Sequence, residues 1–167
     1  LESRYNSKAQ ERELYLERAR DCSELTIPTL IPQDGYTGAE DFETTYQGIG
    51  ARGVNNLASK LLLSLLPPNA PFFRLAIDNF AVRELEEDEN LRTSIDSGLV
   101  QIEKAVMDDI EMSNDRVAVF EALKHLIVGG NALLFVSSEG LRVFPLSQYV
   151  LERDPMGNVL EIITKES

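Results

Sequence analysis

Leu91, Ile95, Leu99, Ile102, Val106 and Ile110 recur at steps of three and four. That spacing lines one face of an α-helix about 30 Å long. Burying the six side chains would contribute up to about 9–18 kcal/mol gross, before chain entropy is subtracted. The stripe is therefore expected to face the core, with Leu99 at its middle intolerant of charge. A second stripe, Val54, Leu57, Leu61 and Leu65 widened by Ala58 and Leu62, predicts a helix over 52–66 that Pro67 and Pro68 close. As the most hydrophobic helix it is expected to lie centrally. Val117, Phe120, Leu123 and Ile127 predict a third helix, capped by Asn114 or Ser113 and broken by Gly129 and Gly130. Near the amino end, Tyr15, Ala19, Cys22 and Leu25 share a helical stripe inside a Glu-, Arg- and Ala-rich stretch over 2–25, and Pro28 ends it. A further polar helical stretch is expected over 81–88.

Elsewhere the period changes. The run 72–77, opening on Phe72 and Phe73, reads as a short strand. Four more strands are expected over 132–136, 141–145, 149–153 and 159–164, joined by turn-rich segments at 137–140 and 154–158. The stretch 27–46, with Pro28, Pro32, Gly35 and Gly38, reads as a loop. The expected class is α+β, amino-terminal helices packed with a carboxy-terminal antiparallel β-meander. The expected organisation is a helical arm over 1–26 and an α+β domain over 27–167.

Composition narrows the function classes. The chain has 167 residues, 43% of them hydrophobic, enough for one compact domain with an attached arm. Its densest apolar run, 57–66, is interrupted by Ser59, Lys60 and Ser64, so no membrane span is expected. No basic segment followed by an apolar one and a small-residue cleavage site opens the chain, so nothing supports secretion. Cys22 is the single cysteine and cannot form an internal disulfide, which fits a reducing compartment. The net charge of −12 argues against broad attachment to phosphate backbones. The chain begins at Leu1 rather than Met and ends at Ser167 inside an alternating segment, and is read as an excerpt of a longer protein.

Candidate chemistry is sparse. Gly48, Gly50 and Gly53 spell G-x-G-x-x-G at the opening of a helix, the letters of a dinucleotide-binding loop. The preceding residues 41–47 are mostly polar, however, and Phe72 and Phe73 stand where a ribose-binding acid belongs. Close helix packing, or a flexible turn before the helix, is the favoured reading of these glycines. His125 is the only histidine, which removes multi-histidine zinc sites, and is expected to be partly buried near a helix end. Cys22 lacks a nucleophile's setting and is expected as a core thiol. The acidic run Glu84, Glu86, Glu87, Asp88 and Glu89 reads as a solvated face. Arg52, Asn55, Asn56 and Lys60 form a polar side opposite the leucine stripe, which solvation alone accounts for; as the alternative to that reading they are candidate protein-contact residues. No catalytic, cofactor or metal residue is expected.

Four segments, in order, resemble the amino-terminal region of podovirus portal proteins, the head-to-tail connectors of short-tailed, autographivirus-type phages. They read ARDCSELTIPTLIP over 19–32, QGIGARGVNNLASKLLLSLL over 47–66, FEALKHLIVGGNALL over 120–134 and LSQYVLERDPMGNVLEIIT over 146–164. The acidic segment 78–90 matches least well. The resemblance implies a wing-like part of a non-enzymatic ring subunit, expected as a dodecamer, at the portal vertex of the virion capsid and assembled in the host cytoplasm. It implies double-stranded DNA passing through without sequence-specific binding. The implied partners are the major capsid protein and internal core or scaffolding proteins, with terminase and tail adaptor meeting stem and clip regions absent from these residues. No cofactor and no membrane insertion are implied. The competing reading is a nucleotide-binding enzyme fragment built on the loop from Gly48 to Gly53. A parallel sheet with intervening helices would favour it; clustered helices followed by antiparallel hairpins would favour the portal wing.

Overall fold

A computed structural model describes residues 2–33, 35–36, 38, 42, 47–68, 70–77, 89–138 and 140–165. The described helices are α1 (Glu2–Glu24), α2 (Ile49–Leu65), α3 (Glu89–Met112) and α4 (Asp115–Gly129). Strands β1 (Leu133–Ser137), β2 (Gly140–Phe144), β3 (Tyr149–Arg153) and β4 (Val159–Thr164) follow, with a 3-10 turn at Leu146–Gln148 between β2 and β3. The α+β class holds.

Helix α4 is the hub, packing against α1, α2, α3 and β2. Asn114 occupies its N-cap position without a side-chain capping bond. The free Asp115 N–H is instead satisfied by the Ser113 hydroxyl at 3.3 Å. At the other end Gly130 turns left-handed, φ 73°, and its N–H donates to the Leu126 carbonyl.

The main core cluster joins the amino-terminal helix to the strands. Leu16 and Ala19 of α1 and Ile31 pack with Phe144, Leu146 and Tyr149. Ser23 makes this possible by bending the chain back on itself. Its hydroxyl donates to the Ile27 carbonyl at 2.8 Å and accepts the Ile31 N–H at 3.1 Å, so no backbone donor is stranded as Ile31 enters the core. Arg12 ties α1 to the far end of the chain, donating to the Leu146 carbonyl at 2.8 Å and to the Tyr149 carbonyl. Gly129 lets α4 approach, since a Cβ there would lie 3.1 Å from Ile31 Cδ1.

The strands form two separate antiparallel hairpins, β1 with β2 and β3 with β4, rather than the continuous meander expected. Pro145 and the 3-10 turn intervene after β2, and proline has no N–H to continue a ladder. Leu133 faces Phe144 and Ser137 faces Gly140 in the first hairpin. The Asp115 carboxylate clamps it to the start of α4 by accepting the Leu141 N–H at 3.0 Å. Tyr149 faces Thr164 in the second, with an irregularity between Glu152 and Arg153. The Asp154 carboxylate closes its turn, accepting N–H bonds from Met156 at 2.9 Å and Asn158 at 2.7 Å.

Several expectations are corrected. The buried face of α1 is Leu16, Ala19, Arg20 and Ser23, while Tyr15, Cys22 and Leu25 are exposed. The inward side of this helix carries a serine and an arginine with internal partners, which apolar spacing does not register. In α2 only Val54 and Ala58 are buried, and Leu57 and Leu65 are about half exposed, so this helix is not central. The run 72–77 forms no strand; the Leu75 N–H bonds the Glu103 carboxylate of α3 at 2.6 Å instead of a ladder partner. On α3 itself Glu103 is the buried residue among those described; of the apolar stripe Leu91, Ile102 and Val106 are exposed, while Ile95, Leu99 and Ile110 are half-buried. The expected helix over 81–88 lies outside the described residues.

Candidate functional site

Helix α2 presents two unlike sides because its short buried residues and its long polar ones fall half a turn apart. Val54 and Ala58 face α4 and the body of the protein. On the opposite side Ile49, Arg52, Gly53, Asn56, Leu57 and Lys60 line an open groove to which no other described element contributes a lining residue. Asn55 is exposed beside it, its carbonyl accepting the Ser59 hydroxyl at 2.8 Å within the helix. The structure thus brings Arg52, Asn56 and Lys60 onto one surface, with Asn55 at its flank. Helix α2 contains no acidic residue. Arg52 and Lys60 form no ion pair with any described residue.

The glycine pattern at the start of this helix has a packing cause. A Cβ on Gly50 would lie 2.6 Å from the Leu25 carbonyl oxygen and 3.2 Å from Thr26 Cγ2, whereas Gly48 and Gly53 have nothing within 4 Å. In a dinucleotide-binding loop the second glycine is bare so that pyrophosphate can approach. Here Leu25 and Thr26, just beyond α1, fill that place. The Gly48 N-cap offers no side-chain capping bond, and Arg52 N–H donates back to the Gly48 carbonyl at 3.0 Å.

His125 is buried within α4, deeper than expected, and its Nε2 lies 3.9 Å from Glu121 Oε1. Its Nδ1 has no hydrogen-bond partner. Burial pushes its pKa below the ordinary value of 6.5, against the pull of Glu121 and with a small push from Lys124. Cys22 is exposed rather than a core thiol, because the helix turns Leu16, Ala19 and Ser23 inward and leaves it on the solvent side. No group of three or more His, Cys, Asp or Glu able to hold a metal occurs among the described residues. The acidic positions 84–88 lie outside the described residues.

A cavity of about 330 Å³ opens between α1 and β3, lined in part by Lys8, Arg12, Tyr15, Tyr149 and Arg153. Arg12 is spent on backbone carbonyls there, and burial holds the Tyr149 hydroxyl protonated, raising its pKa against the nearby Arg12 and Arg153. Sequence reasoning gave Arg12 no role; an arginine bonded to carbonyls more than a hundred residues away leaves no local signal. Lys8 and Glu11, also in the lining, form an ion pair at 3.7 Å.

Helices gathered ahead of antiparallel hairpins, with no parallel sheet among the described strands, define an α+β domain rather than a doubly wound one. The family model described as bacteriophage head to tail connecting protein matches residues 1–166, and the chain belongs to that family. It is 40% identical to the portal protein of Escherichia phage T7 across 97% of this chain and 31% of that protein. The portal protein of Enterobacteria phage T3 is equally similar, at 40%, and that of Pseudomonas phage phiKMV is 30% identical across 90% of the chain. The chain spans just under a third of the length of these curated relatives.

Proposed function

We propose that these residues are part of a podovirus-type portal subunit, a structural component of a closed ring at the capsid vertex. The ring joins head to tail and provides the conduit for double-stranded DNA in packaging and ejection. The observation that carries this reading is the family match over residues 1–166, supported by 40% identity to a portal protein. The residues contribute an arm over 1–26 and a wing-like domain over 27–167, and have no catalytic task. The ring is expected to have twelve copies, to sit in the virion, and to be assembled in the host cytoplasm. Its neighbours are the major capsid protein and internal core or scaffolding proteins, with terminase and tail adaptor docking elsewhere on the subunit. Arg52, Asn55, Asn56 and Lys60 serve as protein-contact residues.

Particle images of the full-length protein test the reading directly. Closed rings with an axial opening are expected, because rotationally related subunits joined head to tail must close if they are not to form filaments. A protein that stays monomeric at micromolar concentration would sink it.

A further inference from the structure

Two helix faces on this chain are exposed, partly apolar and opposite in charge. The outer face of α2 runs from Ile49, 67% exposed, to Leu63, 55% exposed, with Arg52, Asn56 and Lys60 between them. At 1.5 Å per residue it is about 21 Å long. The stripe on α3 runs from Leu91 to Val106, about 22 Å by the same measure, and its Ile102 is 52% exposed. Periodicity makes this α3 stripe the strongest helical signal in the sequence, and the described residues leave much of it open.

Charge separates the two faces. Helix α2 carries Arg52 and Lys60 and no acid. Among its described exposed side chains helix α3 carries Asp96, Asp108, Asp109 and Glu111 against Arg92 and Lys104. Asp96 and Asp109 are exposed on either side of the apolar stripe. Both faces are also notched, since a Cβ on Gly53 or on Gly98 would meet nothing within 4 Å. Bare glycines allow close approach of helix axes.

We infer that the α2 face of one subunit packs against the α3 stripe of the next copy around the ring. The inference rests on the portal reading and names the partner of the Arg52, Asn56 and Lys60 surface. A head-to-tail ring needs two different, mutually complementary patches on one chain, and a second copy supplies the missing half of each. Self-pairing of either face would appose like charges, acid on acid for α3 and base on base for α2, which is unfavourable when desolvated.

Charge reversal on the full-length protein tests this by native mass spectrometry. Arg52→Glu with Lys60→Glu reverses one face, and Asp96→Lys with Asp109→Lys reverses the other. All four positions are exposed, so the monomer's melting temperature is expected to hold. Each reversed pair alone should lower ring yield at least about tenfold, and all four substitutions in one chain should restore it. Rings that persist in both two-site variants, or that stay lost in the four-site variant, overturn the inference while leaving the portal reading intact. Normal rings that fail only to join capsid protein would also overturn it, assigning the α2 face to that partner. A wild-type protein without rings removes the portal reading and this contact together.

Discussion

At the scale of single residues, the three glycines at the start of α2 separate a motif from its cause. The letters were legible in the sequence, and so was close packing as the favoured reading, because the strand and acid that a nucleotide site needs are missing around them. Which glycine matters was not legible, since it depends on where the Leu25 carbonyl lands. Gly50→Ala is expected to destabilise by about 1–3 kcal/mol, as an added methyl must displace backbone. Gly53→Ala, with open space around it, should stabilise by about 0.5–1 kcal/mol by removing glycine's entropy cost within a helix. Urea unfolding of both variants checks the contrast, and equal effects would show that the approach of α1 is not tight. His125 adds a pH dependence. Its folded pKa lies below 6.5, so as pH falls through that region the unfolded chain takes up the proton first. Stability therefore rises with pH across this window and is lost on acidification below about 6.5. His125→Leu also removes the unpartnered Nδ1. It should flatten the difference in unfolding free energy between about pH 7.5 and 5.5; an unchanged slope would place the titration elsewhere.

Among the elements, the helices and the last four strands were readable because their periods of 3.6 and 2 are strong and their ends are punctuated by Pro28, Pro67, Gly130 and the turn at Asp154. The inward direction was less readable. Apolar spacing identifies a face without saying what covers it, and the α3 stripe, the strongest such signal, is the case in point. Its exposure means that the stripe was patterned for something other than the described core. On α1 the reverse holds, since Ser23 and Arg20 are buried through hydrogen bonds that a hydropathy pattern cannot register. The expected strand over 72–77 failed for a related reason, its Leu75 N–H being taken by a buried carboxylate of α3. Leu99, at the middle of the α3 stripe, is half-buried and keeps its expected sensitivity to charge, whereas a charge at exposed Ile102 is expected to be tolerated by the monomer. Ile102→Asp should change unfolding free energy by no more than about 0.5 kcal/mol. Leu123→Asp, on α4 and 7% exposed, should cost several kcal/mol. Unfolding by urea under dissociating conditions distinguishes them, and an Ile102→Asp monomer that fails to fold would show the stripe to be buried after all.

For the molecule as a whole, charge bears on whether these residues could hold a DNA duplex. The net charge is −12, and duplex affinity comes chiefly from basic side chains that displace counterions from phosphates. Many of the basic groups that are present are committed internally. Arg4 pairs with Glu161 at 2.6 Å, Arg20 with Glu13 at 3.0 Å, and Lys8 lies 3.6 Å from Glu152. Arg12 and Arg116 donate to backbone carbonyls, the latter to Leu66 at the end of α2. Arg52 and Lys60 stand apart from these, exposed and without an ion-pair partner among the described residues, but two cations spaced along one helix release few counterions. A chain of this net charge repels a duplex more than it holds it. Residues 1–167 are therefore expected not to retard a short double-stranded DNA in a gel at about 0.15 M salt, nor to show the steep salt dependence of a phosphate-binding surface. Retardation that weakens as salt rises and is abolished by Arg52→Gln with Lys60→Gln would make the α2 face a DNA track. Retardation that survives those substitutions would mean that the acidic chain gathers its remaining cations into a surface the internal ion pairs do not consume.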